Sequence, residues 1–212
     1  MYAVKAMPRP RSLTPAQLAS AALAVIDRDG LSALTMRAVA QELGTSPMAL
    51  YRYVADRDEL EALVVEEVLS TVDTAAPPDE SWQDRVGVLV QRMRVAIGGH
   101  PAVVPLLPVH RHRSPTVLRW TETVLGVLAE AGFAGTRRVV ALRALLAYAV
   151  GAIQLEHLGP LSGSGTDAMA GLSPAEFPHL SATAADARRV RPDAEFDGGL
   201  DLLLRGLAVS SD

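Results

Sequence analysis

The sequence predicts an all-α fold, and three observations carry that expectation. Apolar residues recur at helical spacing along most of the chain. Thr14-Pro15, Ser46-Pro47 and Ser114-Pro115 place a hydroxyl acceptor directly before a proline, which is how helices start: the hydroxyl takes a free N–H and proline has none to waste. No stretch alternates apolar and polar residues for long enough to form a strand.

A chain of 212 residues can bury a substantial core in one or two domains. The absence of cysteine excludes disulfides and thiolate metal sites and fits a reducing compartment. The opening MYAVKAMPRP lacks the apolar run of a signal peptide. The longest uncharged apolar-rich run, 144–155, has 12 residues, against the roughly 20 a bilayer requires. A cytoplasmic protein with no membrane partner is therefore expected. Net charge is −4, but unevenly spread: residues 1–55 carry six basic and three acidic side chains, for +3, and the remainder carries −7. A small nucleic-acid-reading head on an acidic body would show that split.

In chain order, 1–13 reads as an arm whose Arg9-Pro10-Arg11 can reach phosphates. Thr14 then caps a helix with Leu18, Ala22, Val25 and Ile26 on one face, ended by Gly30. The stretch 35–57, TMRAVAQELGTSPMALYRYVADR, has helix-turn-helix spacing. Counting Met36 as first, Ala40 is fifth, Gly44 ninth and Leu50 fifteenth. Ala40 is small enough for a close helix crossing, Gly44 can take the left-handed conformation that ends the first helix, and Leu50 plugs the angle. Thr35 and Ser46 cap the two helices, and Met36, Val39, Ala40, Leu43, Leu50 and Val54 face inward. Met48, Ala49, Tyr51, Arg52 and Tyr53 are expected to point outward, where two tyrosines beside an arginine suit groove and phosphate contact.

The run T-M-R-A-V-A-Q-E-L-G, followed by A-L-Y-R-Y-V and Arg57, resembles the DNA-binding domain of the tetracycline repressor (TetR) family of bacterial regulators over about residues 13 to 65. The resemblance implies a DNA-binding head, residues 1–56, on a helical ligand-binding and dimerisation body, residues 57–212. It implies double-stranded DNA with a palindromic operator as one partner and a small-molecule inducer as another. The expected DNA-binding residues are Thr35, Arg37, Thr45, Ser46, Pro47, Met48, Ala49, Tyr51, Arg52, Tyr53 and Arg57, the last gripping a phosphate.

Asp56 begins a fourth helix, with Leu60, Leu63, Val64 and Val68 on one face, expected to run until Ala75-Ala76-Pro77-Pro78. Ser81 caps a fifth carrying Trp82, Val86, Leu89, Val90, Met93 and Ile97, ended by Gly98-Gly99-His100-Pro101. Prolines 101, 105 and 108 break the next stretch into a short helix and a turn, and 108–113 is expected as a loop. Ser114-Pro115 starts a helix with Val117, Thr121, Val124, Leu125 and Leu128, and 139–158 forms one that is apolar nearly all round. Such a helix must be covered on every side. With the last helix, Phe196, Leu200, Leu203 and Leu207, it is implied by the resemblance to build a homodimer. Between them, 159–192 is expected to hold helical pieces near 174–179 and 182–190, with mobility at 162–166.

His110 and His112 lack a third ligand, Glu156-His157 is no HExxH, and Gly163-Ser164-Gly165 is no P-loop. No nucleophile is paired with a base, so neither an enzyme nor a metal or cofactor site is expected. Trp82, Met93, His100, Trp120, Tyr148 and His157 are the polar or aromatic candidates for lining a mostly apolar ligand pocket. The alternative function is an all-α ligand-binding or scaffolding dimer whose helix-turn-helix serves protein contact.

Overall fold

A computed structural model describes residues 13–158 and 163–209. The arm at 1–12, with Arg9-Pro10-Arg11, and Ser162 of the expected mobile stretch lie outside the described residues. The helices are α1 (Pro15–Asp29), α2 (Met36–Glu42), α3 (Pro47–Leu50), α4 (Arg57–Leu69), α5 (Trp82–Gly98), α6 (Leu107–His110), α7 (Pro115–Glu130), α8 (Gly135–Leu158), α9 (Ser164–Ala170), α10 (Pro178–Ala187) and α11 (Pro192–Val209), with 3-10 turns at Leu31–Ala33 and Pro101–Leu106. No strand occurs among the described residues.

The caps explain the starts. Thr14 and Gln17 form a reciprocal capping box, and Thr35, Asp56, Ser81 and Ser114 each accept a backbone N–H three residues on. Ser46 stands at its cap position without such a bond; its carbonyl instead accepts from the N–H of Ala49 at 2.9 Å.

Helix α4 is the spine. It packs along α1 in the head and against α5, α6, α7 and the 101–106 turn in the body. Leu60, Val64, Val65, Val68 and Leu69 are buried, so the apolar stripe is wider than the period alone suggested. At its centre Glu66 accepts from both Ser114 and Thr116: Thr116 donates its hydroxyl at 2.8 Å and its backbone N–H at 3.2 Å. One carboxylate thereby ties α4 to the first turn of α7.

Four expectations need correction. The fourth helix ends at Leu69, well before the prolines, because the chain turns extended at 72–76 where Arg92 holds the carbonyls of Asp73 and Ala75 at 3.1 and 2.6 Å. Residues 107–110 are a helical turn rather than loop, and His110 is fully buried while His112 is exposed. In 159–192 the helices are Ser164–Ala170 and Pro178–Ala187; the 174–176 piece is a turn, and Thr166, expected mobile, is buried in α9. Finally, Gly135–His157 is long and apolar enough to cross a membrane by length and composition, with mean hydropathy 1.6. Counting only the uncharged run missed this, since interspersed arginines hardly lower so apolar an average.

In the body, Arg94 of α5 is a buried charge that spacing alone did not flag. Its guanidinium pairs with Glu156 of α8 at 3.1 Å and Asp193 of α11 at 3.0 Å, and lies 4.5 Å from the Phe196 ring centre. These contacts join three helices around one cation, and replacing Arg94 would leave Glu156 and Asp193 without their shared counter-charge. Further along, Tyr148 crosses α11 at Gly199 and donates to the carbonyl of Phe196 at 2.6 Å. Burial, with the negative charge of Glu195 adding to it, holds the Tyr148 hydroxyl above its ordinary pKa.

A Cβ at Gly199 would overlap the Tyr148 hydroxyl oxygen and stand 2.9 Å from its ring. Gly199→Ala is therefore expected to displace the ring from its hydrogen bond and cost about 1 to 3 kcal/mol in urea unfolding. In a Tyr148→Ala background the same change should cost far less. Because the folded state keeps Tyr148 protonated, stability should fall as pH rises past about 10, where the unfolded tyrosine ionises; Tyr148→Phe should reduce that fall in an alkaline denaturation series.

Candidate nucleic-acid interface

The helix-turn-helix forms as its spacing requires. Ala40 and Leu50 are buried at the crossing of α2 and α3. Gly44 has φ +62°, and around it the N–H of Thr45 donates to the Ala40 carbonyl at 2.9 Å while that of Gly44 donates to Gln41 at 3.1 Å. Those two bonds are the Schellman pattern that ends a helix on a left-handed residue. The chain then leaves α2 at the angle that puts Ser46 and Pro47 at the start of α3.

Thr35, Arg37, Ser46, Pro47, Met48, Tyr51, Arg52 and Arg57 are exposed and share this end of the molecule. Met48 is 75% exposed and Tyr51 51%, large apolar surfaces that nothing in the chain's own core uses. Thr45 and Ala49 are half-buried, as is Tyr53, which packs against the core. Tyr53 therefore points outward less fully than its helical position suggested, because α3 is one turn long and the chain bends inward to bury Val54.

The charges sort into two kinds. Arg28 is bound to Glu42 at 2.8 Å and Asp29 at 3.0 Å, so its charge is offset within the head. Arg57 gives its Nε to Glu61 at 2.7 Å and an Nη2 to the Leu31 carbonyl at 3.3 Å. Arg37 and Arg52, by contrast, have no hydrogen bond or ion pair among the described residues. An exposed helix-turn-helix with unpaired guanidiniums on α2 and just past α3, a methionine on α3 and a tyrosine at its end can meet phosphates and base edges together.

Comparison with known proteins bears on what such a head does. Residues 18–62 match the family described as bacterial regulatory proteins, tetR family, and residues 74–210 match the tetracyclin repressor-like C-terminal domain. The chain belongs to the TetR family. It is 30% identical to the HTH-type transcriptional repressor DrrR1 of Streptomyces coeruleorubidus, over 95% of this chain and 79% of that one. It is 29% identical to the Escherichia coli tetracycline repressor protein class A from transposon 1721, over 92% and 91%. Its fold superposes with a TM-score of 0.81 on the Streptomyces coelicolor TetR family protein ActR in complex with actinorhodin, at 26% identity over 93% of this chain and 96% of that one. As a TetR-family member it is a DNA-binding transcriptional regulator, and the alternative of a protein-contact helix-turn-helix is not favoured.

In this TetR-family body the ligand candidates do not converge on one cavity. Trp120 is buried with its Nε1 donating to the Leu89 carbonyl at 2.9 Å, and Trp82 stacks edge-on against Phe133 at 5.1 Å. His100 holds Asp27 of α1 at 2.8 Å, a link between body and head. Met93 is half-buried against the core. Tyr148 lines a cleft of about 430 Å³ between α8 and α11, walled by Gly151, Leu155, Phe196 and Gly199, whereas exposed His157 lines a separate one with Leu31, Pro101 and Pro105. Sequence reasoning missed Arg94 and Glu61 and gave His110 no role, because the Arg94–Glu156, Arg94–Asp193 and Glu61–His110 pairs join residues far apart in the chain.

Gly44→Ala is expected to cost about 1 to 2 kcal/mol of stability, since a Cβ is strained in the left-handed region even where space is open. The measurement is thermal or urea unfolding, and duplex binding should weaken as α3 tilts. An alanine variant as stable as wild type would contradict the conformational role.

Proposed function

We propose that the protein is a homodimeric repressor that leaves a palindromic operator when a small, mostly apolar molecule binds its body. The observation that carries the reading is the exposed, unpaired Arg37 on α2 and Arg52 just past the end of α3, together with the exposed Met48 on α3 and Tyr51 at its C-terminal cap. Arg37, Tyr51, Tyr53 and Arg57 are assigned to phosphates; Met48, Ala49 and Arg52 to base edges; Thr35, Thr45, Ser46 and Pro47 to the surrounding backbone contacts. Residues 1–56 then serve as the reading head and 57–212 as the body.

The dimer reading rests on faces the chain does not cover itself. Val140, Leu155 and Leu202 are 56%, 52% and 73% exposed along α8 and α11. Ala147, Gly151 and Gly199 beside Leu155 give a low surface on which a second pair of helices can lie close. Leu145 is wholly buried within the chain and belongs to the core rather than to this face. A partner's helices would also cover the apolar side of α8 that by composition suits a bilayer; Arg137, Arg138 and Arg143 early in that helix favour the protein partner. For the inducer, ActR's complex with actinorhodin and the repressor name of DrrR1 support a ligand-released regulator, and the body offers mainly Val, Leu and Ala with sparse polar groups.

Footprinting on the chain's own upstream DNA tests the whole reading: a protected palindrome with half-sites about 34 Å or a multiple apart is expected. Arg52→Ala should relax base preference at one position per half-site, about 1 to 3 kcal/mol of discrimination. Arg57→Ala should weaken all sequences alike and reduce the salt slope by about 1. Uniform weakening by Arg52→Ala would move that residue to the phosphates. Leu155→Asp and Leu202→Asp should give folded monomers in sedimentation that lose operator binding; monomeric wild type would remove the dimer.

A further inference from the structure

Sequence alone left His110 without a task, and the fold buries it. Its side chain is 1% exposed, on the single turn of α6, with a carboxylate at each ring nitrogen. Nε2 lies 3.1 Å from Glu61 Oε2 and Nδ1 lies 3.9 Å from Asp58 Oδ1, both carboxylates being on α4. The other oxygen of Glu61 accepts from Arg57 Nε at 2.7 Å, and Asp58 also pairs with Arg113. The 101–106 turn packed against α6 brings no titratable side chain, and the neighbouring Arg111 and His112 are exposed. The chain of contacts therefore runs from buried histidine, through one shared carboxylate, to the arginine assigned to phosphate.

We propose that His110 is a positioning residue for DNA binding: through Glu61 it sets the orientation and effective charge of Arg57, and its protonation strengthens the hold on DNA. The proposal rests on Arg57 meeting phosphate, as in the function proposed above. With His110 neutral, the Arg57–Glu61 pair presents no net charge to the duplex. With His110 protonated, the three groups together carry one positive charge, and Glu61 is shared with a second cation, so its grip on Arg57 loosens. Both effects favour the phosphate contact at lower pH. By linkage, DNA must then favour proton uptake at His110 by the same factor. Lowering the pH from about 8 to 6, the range in which histidine changes charge, should raise affinity for duplex roughly fourfold more in wild type than in His110→Gln, the scale of one added charge acting through partial screening. A histidine anywhere else would shift affinity without involving Glu61.

The test is fluorescence anisotropy with a mixed-sequence duplex, because phosphate contacts are independent of sequence. Wild type, His110→Gln, Glu61→Gln and Arg57→Ala are each titrated at pH 6, 7 and 8. His110→Gln keeps a neutral hydrogen-bonding group and is expected to bind with the affinity of wild type at pH 8, with the His110 share of the pH slope gone. An unchanged slope in His110→Gln overturns the relay. Arg57→Ala binding as tightly as wild type would instead remove the phosphate contact itself, and the relay with it. Should His110→Gln fail to fold, NMR titration of the wild-type imidazole decides the matter: the His110 midpoint should move up when duplex is added and down in free Glu61→Gln. Midpoints that do not move overturn the proposal.

Discussion

The packing of α4 is the constraint on which the rest depends. Its stripe of Leu60, Val64, Val65, Val68 and Leu69 is an apolar surface shared by head and body, in contact with α1 at one end and with α5 and α7 further along. Fully burying side chains of this size is worth about 1.5 to 3 kcal/mol each, so head and body cannot slide on α4 without exposing some of them. The packing therefore ties the two ends of the helix together. A displacement at its body end must reach Asp56 and Arg57 at the other.

Polar groups interleaved with and flanking that stripe on α4 give the helix its handles. Glu66 accepts from Ser114 and Thr116, Glu61 stands between Arg57 and His110, Asp58 pairs with Arg113, and Glu67 accepts from Ser20 of α1 at 2.6 Å. These acids lower the charge of the body and at the same time fix the angle of the head. For Glu61, 15% exposed, losing its partners would leave a largely buried charge uncompensated, which costs several kcal/mol. A shift of α6 or α7 must consequently drag α4 or break paired charges. The link between His100 and Asp27 adds a second, more exposed tether between the halves.

The body follows a different logic. Arg94 pins α5, α8 and α11 by contacts to Glu156, Asp193 and Phe196, and Gly199 admits Tyr148 across α11, so these helices are locked edge to edge on one side. Of these, α8 and α11 leave Val140, Leu155 and Leu202 in water. A stable chain with that much apolar surface on two adjacent helices is half of a larger helical bundle. Helices α9 and α10 pack mainly on each other and interrupt the bundle without extending its core.

The sequence by itself determined the helix-turn-helix almost residue by residue. Ala40, Gly44 and Leu50 occupy the crossing, the left-handed exit and the plug that their spacing implied, because a two-helix corner of that size is closed by local sterics and by caps three residues away. It also determined the starts of α1 and α7, where one hydroxyl and one proline decide the matter within a single turn, and of α5, where the Ser81 hydroxyl alone does so. What only the tertiary structure decided is everything settled by partners distant in the chain: that the fourth helix stops at Leu69 because Arg92 draws the next extended segment aside, that Ser164 to Ala170 is helical, that Tyr53 turns half inward, and that His110 lies buried between Glu61 and Asp58. Side-chain periodicity reports which face is apolar, but it carries no information about which distant charge will meet which. That pairing is fixed only when the helices have packed.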